Sequence, residues 1–397
     1  MRKLFNVVLP VVLFVICSVQ GTWAQKPNVY ELGTYPGGTW FTTESINDLG
    51  VVVGRGDVPP IGSDGVGYTH TLAVPLFGPD AGEWIDLGTL GGEQPMGWEL
   101  ESLTQVSNTG LVASHSTAVD GYAHGVAWTK GTGMVDLGTL ADTGDPAYAD
   151  YTSSYAQGTN KLGTLIVGVS QTTDGRNLPV VWTPARKPGG LAIVWNIHRL
   201  DTIAELPYGQ AWWVNDYGQI SGVCGNMANA VTGVVWNPRA DGKGWQLTSL
   251  PPSPDPDYPN SNAYGINEMG EIVGVVMSGD FSIWLPRLWK PLDGKRTKYS
   301  QPIELALPKG VFTSCESVGL NEVGDIVGDC WNEDGSVDLS AHWIAAHPTF
   351  SEIIKFPGSW GYSWGVNNSR IASVTYADSK NCPSDTYVSC GGATALH

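Results

Sequence analysis

One short phrase, I-N-x-x-G, recurs along this chain and constrains its fold more than any other feature. It reads "SINDLGVVVG" at 45–54, "WVNDYGQISG" at 213–222, "YGINEMGEIVG" at 264–274 and "GLNEVGDIVG" at 319–328. Aligning the chain on the Asn of this phrase gives Asn47, Ser107, Asn160, Asn215, Asn267, Asn321 and Asn367, with intervals of 60, 53, 55, 52, 54 and 46 residues. Self-similarity at such a period marks a repeat architecture in which each unit needs its neighbours to bury a core.

Three further phrases accompany each copy. A strand of the type "WIDLGTLGG" (84–92) or "MVDLGTLAD" (134–142) has weaker echoes at 29–38, 245–252, 302–310 and 351–358. A second strand ends in Trp, as in "AHGVAW" (123–128), "LPVVW" (178–182), "TGVVW" (232–236) and "PRLW" (286–289). Asp-Gly turns stand at Asp64-Gly65, Asp120-Gly121, Asp174-Gly175 and Asp334-Gly335. Asn-x-x-Gly suits a type I turn closed by a glycine at positive φ, and Asp-Gly suits a two-residue hairpin. Each unit therefore reads as four short antiparallel strands in a meander. Units of this length are propeller blades, so the expected fold is all-β: a seven-bladed β-propeller. The first such strand (29–35) is of the "DLGTL" type, and the chain stops where the last blade's Trp is due. If "DLGTL" is the outermost strand, the N-terminal strand closes the last blade by backbone pairing. That last strand is then either divergent or cut short.

The 397 residues fit two ordinary domains or one large repeat. Here they divide into a signal peptide, 1–24, and a single propeller domain of seven repeats, 25–397. The basic "MRK", the apolar run after it and "TWA" at 22–24 form a secretory leader. The apolar run is shorter than the roughly 20 residues a membrane span needs. Removing 1–24 removes Arg2 and Lys3, leaving 19 basic residues against 38 acidic ones, a net −19. A surface this acidic repels nucleic acid and anionic membrane, which makes both poor partners, so no nucleic acid is expected. The expected location is secreted, extracellular or periplasmic, with no membrane span after cleavage, and the expected state is a monomer. Export permits disulfides. Cys315 and Cys330 lie nearly symmetrically about the Glu322–Val323 turn, their pairing depending on whether Gly324 forms a bulge. Cys382 and Cys390 can close a short loop, and Cys224 is left as a buried free thiol.

The ordered set "DLGTLGG", "INDLGVVVG", "AHGVAW" resembles the bacterial extracellular HAF repeat family over nearly all of the chain beyond the leader. That resemblance implies an exported, propeller-like protein and no particular activity. The family's His-Ala-Phe phrase is poorly kept: His70 and His124 fit its first position, while Leu178 and Thr232 replace it. This argues against a repeated histidine role such as metal binding.

The repeated Asn residues read as turn caps, and Trp128, Trp182, Trp236, Trp289 and Trp343 as blade core. Function is sought where copies differ. The segment joining "DLGTL" to "I-N" varies most in length and is aromatic, with Trp40, Trp98, Trp212, Tyr264, Trp360 and Trp364. In the order proposed, these segments share one face near the channel with the Asp-Gly turns. Flat rings beside carboxylates such as Glu99 suit sugar recognition, because rings stack on C–H faces and carboxylates accept hydroxyl protons. Against this, alternation puts Trp212, Tyr264 and Trp364 on the same strand face as the apolar residue before the Asn, which reads as packing. Glu99 with Glu101, or Asp145 with Asp150, are the available carboxylate pairs for a glycan hydrolase or lyase. "NEDGSVD" (332–338) and "SPDPDYPN" (253–260) place oxygens close together as a calcium loop would, without full cage spacing. No nucleophile elbow, zinc helix or phosphate loop occurs. No catalytic residue, resident metal or cofactor is therefore assigned. The reading is an exported, non-catalytic recognition module for an extracellular glycan or a surface protein. The alternatives are a structural envelope propeller that binds protein and a glycan-active enzyme.

Overall fold

The structure is a computed structural model that describes residues 29–60, 67–92, 103–186, 193–356, 360–377 and 390–396. Seven four-stranded antiparallel sheets follow one another, each in meander order. Blade 1 runs from Phe41–Ile46 through Val51–Val58 and Tyr68–Pro75 to Ile85–Asp86. Blades 2 to 5 repeat this, with first strands Gln105–Val106, Ser153–Thr159, Tyr208–Val214 and Asn260–Ile266. Blade 6 is Ser314–Leu320, Asp325–Trp331, Asp338–Ile344 and His347–Ile353. Blade 7 takes Trp360–Val366, Ile371–Ala377 and Cys390–Ala395 from the end of the chain, and its outer strand, Val29–Gly33, from the beginning. The ring is thus latched by strand pairing between the two ends of the described chain. The last blade's third strand is present but divergent: Thr394 stands opposite Ala372, where blade 6 sets Trp343 opposite Ile326.

The repeated phrase has a physical explanation at three positions. First, the Asn side chain caps its own turn. Asn47 Oδ1 accepts from Leu49 N at 3.1 Å and Val51 N at 2.9 Å. Second, its amide nitrogen donates to the same turn in the next blade. Asn47 Nδ2 reaches Ser107 O (2.9 Å), Asn215 reaches Asn267 O (2.9 Å) and Asn267 reaches Asn321 O (3.4 Å). Asn321 reaches Asn367 O (2.8 Å), and Asn367 returns to Asn47 O (3.0 Å). Blades 2 and 3 join through Asn108 N and Lys161 O at 2.9 Å, and blades 3 and 4 through Asn160 Nδ2 and Asp216 Oδ1 at 2.8 Å. The bonds close a ring through every blade. Third, the Gly ending "I-V-G" faces a neighbouring carbonyl at close range. A Cβ at Gly274 would overlap Asn262 O, and one at Gly328 would overlap Glu316 O.

The tryptophans form a second, outer belt. Trp182, Trp236, Trp289 and Trp343 are fully buried. Their indole N–H groups donate to carbonyls on the segment that leaves the previous blade's outer strand. The acceptors are Leu137 (3.0 Å), Asp201 (2.7 Å), Pro251 (3.1 Å) and Ala306 (2.7 Å). That pairing is why "VVW" and "DLGTL" travel together. Trp128 is only half-buried and packs at the edge of the core between blades 1 and 2. His70 and His124 bond Asp86 (2.8 Å) and Asp136 (2.9 Å) on the adjacent outer strand. Their role is therefore intrablade.

Cys315 and Cys330 are direct cross-strand partners and form a disulfide. Their register is set by a bulge between Ser317 and Gly319 rather than at Gly324. Cys390 is also a disulfide cysteine, while Cys382 lies outside the described residues. Cys224 is a buried free thiol, pushed up to about 11 by burial.

Asn367→Ala leaves the Ile371 amide without its cap and takes from the Asn47 carbonyl its bond across the ring's closing joint, leaving it Gly50 N, which predicts a loss of about 1–3 kcal/mol in urea unfolding. The exposed turn change Leu49→Ser should leave the midpoint unmoved. Gly274→Ala should cost about 1–3 kcal/mol by overpacking against Asn262 O, although the added methyl is apolar and the site is in a strand. An unchanged unfolding midpoint would refute the close-approach account.

Candidate functional site: the aromatic–carboxylate mouth of the channel

The first strands line the central channel, and nearly all of them carry a bulge. Register shifts fall between Thr43/Ser45, Ala156/Gly158, Ala211/Trp213, Ala263/Ile266, Ser317/Gly319 and Tyr362/Gly365. A bulge breaks alternation and re-aims a side chain. The residues so placed include Glu44, Gln157, Trp212, Tyr264, Val318 and Trp364, all three positions before the repeat Asn. The bulge breaks the alternation that put Trp212, Tyr264 and Trp364 on the face of the apolar residue before the Asn, yet the rings still pack against one another. Together with Leu103 and Val223, these three rings form one cluster in the channel.

The cluster walls a cavity of about 370 Å³, lined also by Trp284, Trp331, Val318, Glu316, Asp329 and Asp338. Trp212 and Tyr264 meet with ring centroids 5.7 Å apart, and Trp284 and Trp331 at 5.9 Å. Trp212 is oriented by its indole N–H, which donates to Asn262 Oδ1 at 2.9 Å. Trp364 stacks on Tyr362 at 4.5 Å, and its buried Nε1 has no hydrogen-bond partner.

Blade 6 supplies the charge. Glu316 and Asp329 are cross-strand partners, and Asp338 lies opposite Trp331, two residues along the same face. Asp329 is 6% exposed, and its Oδ1 has no hydrogen-bond partner. Burial pushes its carboxyl well above the usual carboxylate range, and Glu316 and Asp338 beside it add to the effect. Burial pushes Asp338 up to about 6, offset in part by hydrogen bonds from Asp329 and Trp360. Asp329 therefore keeps its proton longest and shares it with its neighbours.

The other half of the channel differs. Arg55 Nε binds Glu44 Oε1 at 2.8 Å, and Glu44 also accepts from the Thr104 amide. His115, half-buried against Tyr155, is lowered to about 3 by burial and then by Arg55, so it stays neutral. At the opposite end, the turn residues following the Asn ring narrow the channel to a space of about 70 Å³. Lys161 Nζ spans it, 2.9 Å from Glu322 Oε1 and 3.6 Å from Asp48 Oδ2. The channel is thus stoppered at one end and open at the aromatic end.

Of the aromatics singled out in the sequence, Trp212, Tyr264 and Trp364 meet in this cavity, and Trp360 stands beside it against Tyr362 at 5.5 Å and Asp338. Trp40 does not line it. Its loop is tied to Asp57, which accepts from Thr39 N (2.6 Å) and Trp40 N (2.9 Å). Trp98, Glu99 and Glu101 lie outside the described residues. Asp145 caps a short helical turn, and Asp150 is exposed beside Arg176; neither lines the cavity. Among the described residues, no group of three or more metal-ligating side chains is arranged to hold an ion. In the two acidic loops, Asp334 caps Ser336 N (3.0 Å) and Asp255 caps Asp257 N (3.0 Å). Asp338 leaves its loop for the channel.

Sequence reasoning missed Trp284, Trp331, Glu316, Asp329 and Asp338. The signal was there in the repeat itself. The residue after "I-V-G" or its variants is Val169, Val223 and Val275 in blades 3 to 5 and Asp329 in blade 6.

No family model and no curated protein sequence matches the chain. Solved structures similar to it include the BP39L lectin from Burkholderia pseudomallei, at 11% identity and TM-score 0.43, covering 87% of this chain and 94% of that one. A sialidase from Trypanosoma rangeli is similar at 12% identity and TM-score 0.41, covering 89% of this chain and 54% of that one. TolB from Acinetobacter baumannii is similar at 10% identity and TM-score 0.37, covering 66% and 54%. This chain thus spans about half the length of the latter two. The likeness says nothing of ligand.

The raised carboxyl of Asp338 has a consequence for stability. Between about pH 4 and pH 6 the folded protein holds a proton that the unfolded chain has released, so stability falls as pH rises through that window. Asp325, held below the usual range by His342 and Arg370 against its burial, acts below that window and with the opposite sign. Asp329→Asn and Asp338→Asn should each melt higher than the parent at pH 7, with the gap closing towards pH 4. A pH-independent gap would refute the burial of charge at this site.

Proposed function

We propose that this protein is an exported, non-catalytic binding propeller that takes a carbohydrate in the mouth of its channel. The observation that carries the reading is the cavity itself. Five aromatic rings, Trp212, Tyr264, Trp284, Trp331 and Trp364, surround three carboxyl groups in a space of sugar size. Rings of this kind stack on the C–H faces of a pyranose, and the carboxyl groups and the free Trp364 N–H answer its hydroxyls. Export is supported by the leader-like first 24 residues and by the Cys315–Cys330 disulfide. The order of the repeated phrases supports membership of the HAF repeat family.

A second reading, a glycan-cleaving enzyme, is favoured by one observation: Asp329 holds a proton beside Asp338, as a general acid beside its partner would. Purified protein screened on a glycan array and on immobilised polysaccharides separates the two. Saturable retention without product, reduced about tenfold or more in Trp331→Ala, is expected. Product that vanishes in Asp329→Asn would establish the enzyme instead. Retention indifferent to Trp331→Ala would remove this cavity as the site.

A further inference from the structure

The aromatic rings alone do not say what kind of sugar fits, but the carboxyl groups do. We propose that the ligand of this cavity carries a positive charge, as the free ammonium of a deacetylated amino sugar. The inference rests on the carbohydrate reading and sharpens it.

Three features point to a cation. The carboxyl groups of Glu316, Asp329 and Asp338 gather on one face of blade 6, and no basic side chain is among the described residues lining the cavity. The Asp329 Oδ1 that has no partner belongs to a side chain more than nine-tenths buried. The hydrogen bonds this side chain does make run to Asp338 and Glu316, acceptors like itself, so the three carboxyl groups must share protons until a donor from outside replaces them. The fold does not require these acids, since Val169, Val223 and Val275 fill the slot of Asp329 in three other blades. The mutual repulsion and burial that hold protons on the cluster are relieved by a bound cation and not by a neutral hydroxyl. Arg55, whose charge reaches Tyr362 as that of Asp329 does, is already bound to Glu44.

The walls decide between kinds of cation. A metal ion asks for six or more oxygen ligands at short range. Here most of the wall is indole and phenol, the space is about 370 Å³, and no metal-ligating group is formed among the described residues. Aromatic faces attract an organic ammonium through their quadrupoles, and its N–H groups donate to carboxylates. An acetylated amine has neither the charge nor the spare donors. The acidic surface of the chain, −17 in formal charge, draws such ligands towards the mouth.

Because four tryptophans line the cavity, intrinsic fluorescence reads binding directly. The protein is titrated with glucosamine trimer, its fully N-acetylated form, the neutral glucose trimer and tetramethylammonium. The expected result is that glucosamine trimer binds roughly tenfold or more tighter than either neutral trimer, that tetramethylammonium competes with it, and that Asp329→Asn abolishes the preference. Asn is close in shape to the protonated Asp, so this variant folds; Trp331→Ala, at the cavity's wall, should weaken every ligand alike. Equal binding of charged and neutral trimers, unchanged by Asp329→Asn, would overturn the charge inference and leave the carbohydrate reading standing. Binding of tetramethylammonium without any sugar would uphold the cationic site and overturn the sugar. No binding by any of the four at millimolar concentration would overturn both.

Discussion

The ring of Asn side chains is the interaction on which the rest of the molecule depends. Each amide does two things at once: its oxygen caps the turn that holds it, and its nitrogen bonds the corresponding turn of the next blade. Seven blades arranged radially share only narrow contacts near the axis. A buried side chain that must satisfy both ends of its amide fixes the spacing between neighbours there. Because Asn367 returns to Asn47, the bonds are circular, and they are reinforced at the rim by the Val29–Gly33 strand that completes blade 7. The residues that follow the Asn extend the ring, Glu268 N to Glu322 and Asn368 N to Asp48, and gather enough acid on the axis to hold Lys161 across it.

Stoppering one end of the channel leaves the other free to vary. At the open end the bulges hand six of the seven blades one side chain to place near the axis. The choice is uneven: Glu44 and Gln157 on one side, Trp212, Tyr264 and Trp364 on the other. The carboxyl groups of blade 6 then occupy the aromatic side, where burial makes them costly to ionise. A cluster that is costly to ionise, and whose Asp329 slot three sister blades fill with valine, is better explained by a ligand than by the fold.

Much of the architecture was legible in the chain. Asn-x-x-Gly announced a turn, Asp-Gly a hairpin, and the "DLGTL" phrase at the N-terminus an outer strand in search of a blade. Each depends on local backbone preference, which a short phrase encodes fully. The Cys315–Cys330 pairing was half legible: symmetry about a turn brings two residues together, but the register waited on the bulge at Val318. The site was less legible. Trp40 was a candidate contact as Trp364 was, yet its loop is tied to Asp57 and it does not line the cavity. Trp284 and Trp331 stand at the ends of their strands and belong to none of the repeated phrases.

What the sequence determined by itself was the number of blades, the four-strand meander, the latch and the place of the turn caps, because all of these follow from local propensities repeated seven times. What only the tertiary structure decided was which copies face one another across the axis. Residues more than 150 positions apart, Trp212 and Trp364, become walls of one cavity, and carboxyl groups that look scattered in the chain become a buried cluster. The physical reason is that ring closure and the bulges set these distances, and neither leaves a mark at the residues it brings together.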